Sequence, residues 1–251
     1  MMENPKDGIT VPIIVSMTSY PRRFGVCSEV IRRILSARVK PEKIFLAIYK
    51  DEMNQLTDEL RRMQSDGLIE IFPTPIDVRP HNKYVWSMLK YKDKPIITLD
   101  DDVAYEPDIV ERLYEGYLSH QDSVCAIRFH QMTFDQNGRI NNYMKWKFEV
   151  DELKTNFVVA TGVSGVLYPP NFLSGIPTEL LELAITKHIT TDDIVLTWIR
   201  LKKGIKAFLV PSNIKLPPSL DRNNGLCLHE NRGGVKNDMC VRDIIQPLLT
   251  K

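Results

Sequence analysis

Strand and helix patterns alternate over the first hundred residues and strongly restrict what the chain can fold into. The apolar segment 11–16 predicts a first β-strand, and apolar residues at helical spacing over 26–35 predict a helix after it. Two more units follow, with strands over 43–49 and 68–72 and helices over 57–64 and 82–91. Repeated βαβ units of this length predict a mostly parallel sheet with helices on both faces, and such sheets bind ligands at the carboxyl ends of their strands.

Three consecutive aspartates, Asp100, Asp101 and Asp102, end the next predicted strand, 95–99. In an extended strand Asp100 and Asp102 point to one side and Asp101 to the other, because side chains alternate between the two faces. Two carboxylates roughly 7 Å apart repel by about 2 kcal/mol at an effective dielectric of about 20, and a cation between them removes that cost. Oxygen ligands suit Mn²⁺ or Mg²⁺, which commonly also hold a phosphate. The alternative is a solvated acidic loop.

The second half of the chain reads as a mixed α+β elaboration. It is predicted to contain helices over 109–117, 178–187 and 192–200 and strands over 124–129, 157–160 and 207–210. Asn137-Gly138 predicts a hairpin turn. The polar stretch 211–238 carries no pattern, and a stretch of that length is usually a functional loop or disordered.

Composition excludes several classes of function. With 251 residues and 43% hydrophobic content, the chain is predicted to form one compact unit, and its formal charge of +1 removes the main reason to expect a nucleic-acid partner. Four cysteines without close metal-ligand spacing predict reduced thiols in a cytoplasmic protein. No apolar stretch approaches the roughly 20 residues that a spanning helix needs. The basic segment Arg200–Lys206 could contact anionic headgroups at the inner face of a membrane, or be a solvated helix end.

Five short motifs occur in an order similar to that of the GT-A glycosyltransferases, and the chain most resembles bacterial enzymes of capsule and lipopolysaccharide assembly that carry a DxD motif. The motifs are Thr18–Arg23 (TSYPRR), Pro80–Tyr84, the aspartate triplet, Gly162–Pro170 and Thr191-Asp192-Asp193. The resemblance implies an α/β fold of the Rossmann-like GT-A type with a mixed, mostly parallel sheet. It also implies a single catalytic domain over 1–251, with a nucleotide-sugar-binding half (about 10–105) and an acceptor-binding half (about 106–251).

The resemblance further implies a metal-dependent transfer of a sugar from a nucleotide-sugar, with a UDP-sugar as the expected donor, to a hydroxyl of a glycan or lipid-linked glycan. The residues expected to bind the nucleotide-sugar are Thr18, Ser19, Tyr20, Arg22, Arg23, Lys83, Asp100 and Asp101. The expected ligands of Mn²⁺ or Mg²⁺ are Asp102, Asp100 and His229, where His229 lies in a polar loop and needs no role on its own account.

Each of these residues also has its own physical interpretation. Tyr20 could stack on a nucleobase while Arg22 or Arg23 binds phosphate, although arginines at a helix start are often simply surface residues. Lys83 lies near the start of a predicted helix, which favours a phosphate or ribose contact, and a solvated lysine is the alternative. Gly162 and Gly165 would let the backbone approach the sugar of the donor or acceptor, or let it pack tightly under Tyr168.

Asp192 and Asp193 open a predicted helix, where acidic residues are also expected from ordinary capping and dipole effects. The resemblance places the general base of an inverting transfer second in this acidic pair, at Asp193. Two rivals remain open. A haloacid-dehalogenase-like phosphatase is opposed by the three βα units that precede the triplet, and a non-catalytic nucleotide- or glycan-binding protein would use the same carboxylates without chemistry. The oligomeric state has no signal in the sequence.

Overall fold

The chain is an α/β protein in a computed structural model that describes residues 8–221 and 231–249. The strands in these ranges are β1 (Ile9–Thr18), β2 (Val39–Tyr49), β3 (Glu70–Thr74), β4 (Ile96–Thr98), β5 (Ser123–Ala126), β6 (Phe129–Gln131), β7 (Val158–Ala160), β8 (Val166–Tyr168) and β9 (Lys206–Leu209). The helices there are α1 (Phe24–Ser36), α2 (Asp58–Ser65), α3 (Asn82–Lys90), α4 (Ile109–Ser119), α5 (Thr178–Lys187), α6 (Asp192–Lys202) and α7 (Val235–Cys240).

Seven strands form one sheet in the order β3-β2-β1-β4-β8-β5-β9. Six of them run parallel to one another, and β8 runs antiparallel to its neighbours β4 and β5. The strands β6 and β7 form a separate antiparallel pair. This mixed, mostly parallel sheet flanked by helices confirms the predicted fold class, because each βα unit of the first half returns the chain parallel to its previous strand.

The central strand β1 reads as a continuous apolar run because both of its faces are covered. Val15 and Met17 lie in the core beneath α1, α2 and α4, whereas Ile14 lies in the opposite core with α3, α5 and α6. All three side chains are fully buried. The cores on the two faces therefore hold both halves of the chain on one sheet.

The reversed direction of β8 determines where its preceding loop lies. Thr98 at the end of β4 pairs with Val166 at the start of β8. Residues 161–165 therefore lie beside the turn that follows β4, at the edge where the parallel strands end. The predicted strand 157–160 corresponds to β7, and a 3₁₀ turn over Gly162–Ser164 separates it from β8.

The later half differs from the sequence prediction in two places. The predicted strand 124–129 is divided between β5 and β6, which belong to different sheets. The polar stretch 211–238 is irregular over 211–221, yet it contains the start of α7. This helix has only six residues, too few for a periodic pattern, and it packs against the hairpin, where Asp238 accepts a hydrogen bond from the Tyr143 N–H at 2.5 Å. The turn at Asn137-Gly138 is confirmed by a bridge between Phe134 and Ile140.

The basic segment Arg200–Lys206 is less basic at the surface than its sequence predicts. Arg200 is 2% exposed and donates hydrogen bonds to the carbonyl oxygens of Asn156, Val158 and Ile205. Its role is therefore to tie α6 to neighbouring backbone, and it is not available to a lipid headgroup. No helix in the described residues is long and apolar enough to cross a membrane. Three cysteines in these ranges, Cys27, Cys125 and Cys240, are free and buried.

Candidate functional site

The three aspartates lie in a turn after β4, not at the end of an extended strand. Because β4 ends at Thr98, the period-two alternation expected for Asp100 and Asp102 does not apply. Asp100 Oδ1 lies 2.9 Å from Lys83 Nζ, and Asp102 Oδ2 lies 2.8 Å from Arg23 Nη2. Two protein cations, Lys83 and Arg23, therefore pair with carboxylates of the triplet.

Arg23 connects the acidic turn to a distant part of the chain. Its Nη1 lies 3.0 Å from Asp101 Oδ1, and its Nε lies 3.0 Å from Asp221 Oδ2, in addition to the contact with Asp102. One guanidinium thus holds three carboxylates with three different nitrogens, which uses the fork geometry that arginine offers. Arg23 was expected to bind phosphate, and here it is the counter-ion of the carboxylates.

Asp101 is the most buried member of the triplet, at 5% exposure. Ser19 Oγ donates a hydrogen bond of 2.6 Å to Asp101 Oδ2. Burial raises the pKa of Asp101 to about 7, against the opposing effect of Arg23. The hydrogen bond between Ser19 and Asp101 therefore anchors the turn, and Asp100 and Asp102 are its more exposed carboxylates.

Lys83 lies buried at the centre of the site, so the alternative of a solvated lysine is wrong. Its side chain is 8% exposed, and its Nζ lies 2.8 Å from Asp192 Oδ2 as well as close to Asp100. Burial disfavours the ammonium, but these carboxylates outweigh it and raise the pKa of Lys83 above its usual range. Lys83 remains charged and links the turn after β4 to the start of α6.

The paired carboxylates of α6 occupy different environments. Asp193 Oδ1 accepts a hydrogen bond from the Gly162 N–H at 3.1 Å instead of capping its own helix. Burial raises the pKa of Asp193 to about 8, and the charge of Asp192 adds to the shift. Burial also acts on Asp192, but Lys83 and His81 outweigh it, so the pKa of Asp192 is lowered. Two neighbouring carboxyls with separated pKa values are typical of acid–base sites.

The two glycines of the GxxG segment have different surroundings. A Cβ added to Gly162 would lie 3.1 Å from Lys83 Nζ, 3.2 Å from Asp193 Oδ1 and 3.8 Å from Asp100 Oδ1. A Cβ at Gly165, where φ is +80°, would meet only core side chains, with Leu99 Cδ2 at 3.0 Å. Gly162 therefore makes room for the charged groups, whereas tight packing accounts for Gly165.

The loop after β1 contributes a partly exposed aromatic ring. The Arg23 guanidinium lies 5.5 Å from the ring centroid of Tyr20, and Arg22 is exposed to solvent. The Thr18 hydroxyl donates a hydrogen bond of 2.9 Å to the carbonyl oxygen of Ala47, which links β1 to β2. Of these predicted nucleotide-binding residues, Tyr20 and Arg22 have surface open to a ligand, and Thr18 has a structural contact.

Sequence reasoning missed the segment that runs along the acidic turn. Val103 and Ser219 form an antiparallel bridge, and the Leu220 N–H donates to the Asp102 carbonyl oxygen at 2.6 Å. Asp221 joins the site through Arg23, as described above. Nothing in the patternless stretch after 211 signals this pairing, apart from the general expectation that a long polar loop is functional.

The carboxylates fit a cation that is completed by its substrate. Within 8–221 and 231–249, no three His, Cys, Asp or Glu side chains form a group that could hold a metal ion. Mg²⁺ usually takes one or two protein carboxylates and fills its shell with water and substrate phosphates, so Asp102 and Asp100 match this donor set without a full protein cage. The third predicted ligand, His229, lies outside the described residues.

No protein-family model matches the chain, and no curated protein matches its sequence. Its structure is similar to that of mannosyltransferase PcManGT from Pyrobaculum calidifontis in complex with GDP-Man and Mn²⁺, with a TM-score of 0.59 and 11% identity over 98% of this chain and 70% of that one. It is also similar to 4-diphosphocytidyl-2C-methyl-D-erythritol synthase, with a TM-score of 0.50 and 11% identity over 84% of this chain and 93% of that one. At these identities the similarity establishes a GT-A-like fold.

Proposed function

We propose that the protein is a glycosyltransferase that moves a sugar from a nucleotide-sugar, a UDP-sugar, to a hydroxyl of a glycan or lipid-linked glycan. The observation that carries the proposal is the meeting of an acidic turn and a carboxylate of raised pKa at one point. Gly162 brings Asp100, Lys83 and Asp193 together at the edge where the parallel strands end. The mannosyltransferase neighbour, solved with a nucleotide-sugar and Mn²⁺, has the same fold and supports the proposal.

The proposed chemistry is a single displacement with inversion. Asp193 accepts the proton of the acceptor hydroxyl as its oxygen bonds to the anomeric carbon, while the bond from that carbon to the diphosphate oxygen breaks. Asp193 suits this role because part of its surface is open and because its raised pKa makes the ionised carboxylate a stronger base than an ordinary aspartate. Lys83 holds Asp192 in its ionised form, so the proton that Asp193 accepts is not shared with Asp192.

Mn²⁺ or Mg²⁺ bound by Asp102 and Asp100 would neutralise the charge that develops on the leaving diphosphate. Tyr20 is proposed to stack on the base and Arg22 to bind phosphate. The half over about 10–105 would then bind the donor, and the half over about 106–251 would bind the acceptor. Lys83 was expected to bind the nucleotide. Because its charge is already matched by Asp100 and Asp192, we assign it to the organisation of the site.

A panel assay tests the function. The protein would be incubated with Mn²⁺ or Mg²⁺ and with UDP-glucose, UDP-galactose, UDP-N-acetylglucosamine or GDP-mannose, and the released nucleoside diphosphate measured with and without EDTA. We expect metal-dependent release of UDP and no phosphate from p-nitrophenyl phosphate. Phosphate release would favour the phosphatase instead, and nucleotide binding without turnover would favour a binding protein. Release of GDP alone would show that the donor is a GDP-sugar and not a UDP-sugar.

A further inference from the structure

Two aromatic side chains lie near Asp193, on the segment 132–157 that joins β6 to β7 and contains the hairpin turn. The ring centroids of Tyr143 and Phe148 are 5.2 Å apart, and Phe148 is 41% exposed. Asp193 contributes to raising the pKa of Tyr143, after the larger effect of burial, so the phenol lies within electrostatic range of the proposed base. Within the described residues, the Tyr143 hydroxyl has no hydrogen-bond partner.

The two rings are held firmly from behind. Gly234, at φ +74°, places its backbone against Tyr143, so that a Cβ at this position would overlap the ring. Phe148 packs edge-on against His130, with centroids 4.6 Å apart and an interplanar angle of 83°. Burial and Arg128 lower the pKa of His130 to about 4, and its Nδ1 accepts a hydrogen bond from the Glu149 N–H. The surface is therefore rigid and carries no histidine charge at neutral pH.

The ion pair of Arg128 and Glu149 lies beside the rings and is connected to the proposed base through Thr161 and Gly162. Arg128 Nη2 lies 2.9 Å from Glu149 Oε1, and Arg128 Nη1 donates to Thr161 Oγ1 at 3.1 Å. Thr161 precedes Gly162, whose N–H binds Asp193. Glu149 itself is held at φ +52°, a strained conformation for a residue with a side chain. Such strain often marks a functional site, and here it presents a carboxylate that is 41% exposed.

We propose that Tyr143, Phe148, Arg128 and Glu149 form a subsite for an uncharged sugar ring of the acceptor. The proposal rests on the glycosyltransferase function above and identifies the chemistry of its acceptor. The apolar face of a pyranose ring packs on an aromatic side chain, while its hydroxyls take hydrogen bonds from charged donors and acceptors. Because Arg128 and Glu149 balance each other and His130 is neutral, nothing in this group favours an anion.

Sugar binding can be tested without knowing the donor. Lactose, maltose and cellobiose would be titrated into the ¹⁵N-labelled protein, with glucuronic acid as a charged comparison, and dissociation constants measured by NMR. We expect a neutral disaccharide to bind, Phe148→Ala to weaken it about three- to tenfold, as one aromatic contact does, and Tyr143→Phe to weaken it through loss of the hydroxyl alone. Phe134→Ala is the matched control, since Phe134 is 39% exposed on the same hairpin and packs on Phe157.

Three results would overturn the subsite: no neutral saccharide binds, glucuronic acid alone binds, or Phe134→Ala weakens binding as much as Phe148→Ala. The thermal unfolding midpoint of each variant reports whether the fold survives. Failure of the donor assay with intact saccharide binding would instead count against the proposed transfer. The two proposals can therefore fail separately.

Discussion

The ammonium group of Lys83 lies 2.8 Å from Asp192 and 2.9 Å from Asp100, so one buried cation joins the proposed metal-binding turn to the proposed base pair. Removal of one partner from a buried ion pair typically costs about 3–5 kcal/mol, because the remaining charge is left without compensation. We therefore expect Lys83→Met to lower the free energy of unfolding by about that amount and to abolish turnover. Urea denaturation at neutral pH would measure the loss.

The matched control for this variant is Lys94→Met. Lys94 also forms a lysine–carboxylate pair, with Glu42 at 2.7 Å, but both side chains are about two-fifths exposed. Exposed pairs contribute about 0–1 kcal/mol, so this variant should unfold almost like the wild type. Equal losses in the two variants would show that Lys83 has no special place in the site.

Metal dependence should be concentrated at Asp102. Asp102 is a partly exposed carboxylate of the turn and contacts Arg23 and Ser219. In calorimetric titrations, UDP affinity of the wild type should fall when EDTA replaces Mn²⁺, and Asp102→Ala should show the EDTA value in either buffer. Asp108→Ala serves as the control, because Asp108 is also paired with an arginine but lies at the start of α4. If Asp102→Ala keeps a full response to Mn²⁺, the metal assignment is wrong.

The fold follows from local patterns, whereas the site depends on contacts between distant segments. The apolar run of β1 and the amphipathic faces of the helices are visible in the sequence, and they specify the layers of the sheet. The pairing of Arg23 with Asp221 spans 198 positions and has no local signal. The strand β8 has three residues, so neither its existence nor its reversed direction could be predicted. Because Gly162 lies in the turn that precedes β8, its position in the site could not be predicted either.

The acidic triplet illustrates the same division. Its position at the carboxyl end of a strand follows from the βα alternation, which is a local pattern. Its geometry depends on where the strand stops: β4 ends two residues before Asp100, and the turn sends Asp100 towards Lys83 and Asp102 towards Arg23. Strand boundaries are governed by hydrogen bonds to neighbouring strands, and these bonds are absent from a single sequence.

Gly165 should be far less tolerant of substitution than another glycine with the same φ. Gly165 and Gly175 both have φ +80°, but an added Cβ meets Leu99 and Leu113 at Gly165 and nothing within 4 Å at Gly175. Backbone strain costs about 1–3 kcal/mol at either position, and overpacking adds about 1–3 kcal/mol at Gly165 alone. Urea midpoints of Gly165→Ala and Gly175→Ala measure the difference. Equal midpoints would contradict the packing role.

The pH dependence of turnover should report the ionisation of Asp193. A general base must be deprotonated, and the pKa of Asp193 is raised to about 8 by burial and by Asp192. The kcat/KM of the wild type should therefore increase tenfold per pH unit below about 8 and level off above it, because this parameter reflects the free enzyme.

Asp193→Asn removes the base while preserving the shape of the side chain and its contact with the Gly162 N–H through the amide oxygen. The turnover should fall by about 10²–10⁴-fold, the usual contribution of general-base catalysis, and UDP affinity should stay nearly unchanged. The residual rate should lose its rise near pH 8, since no group with that pKa would remain at the position of the base. If the variant retains the same rise, another residue is the base. An NMR determination of the product's anomeric configuration gives an independent test, because retention of the donor's configuration would exclude Asp193 from this role.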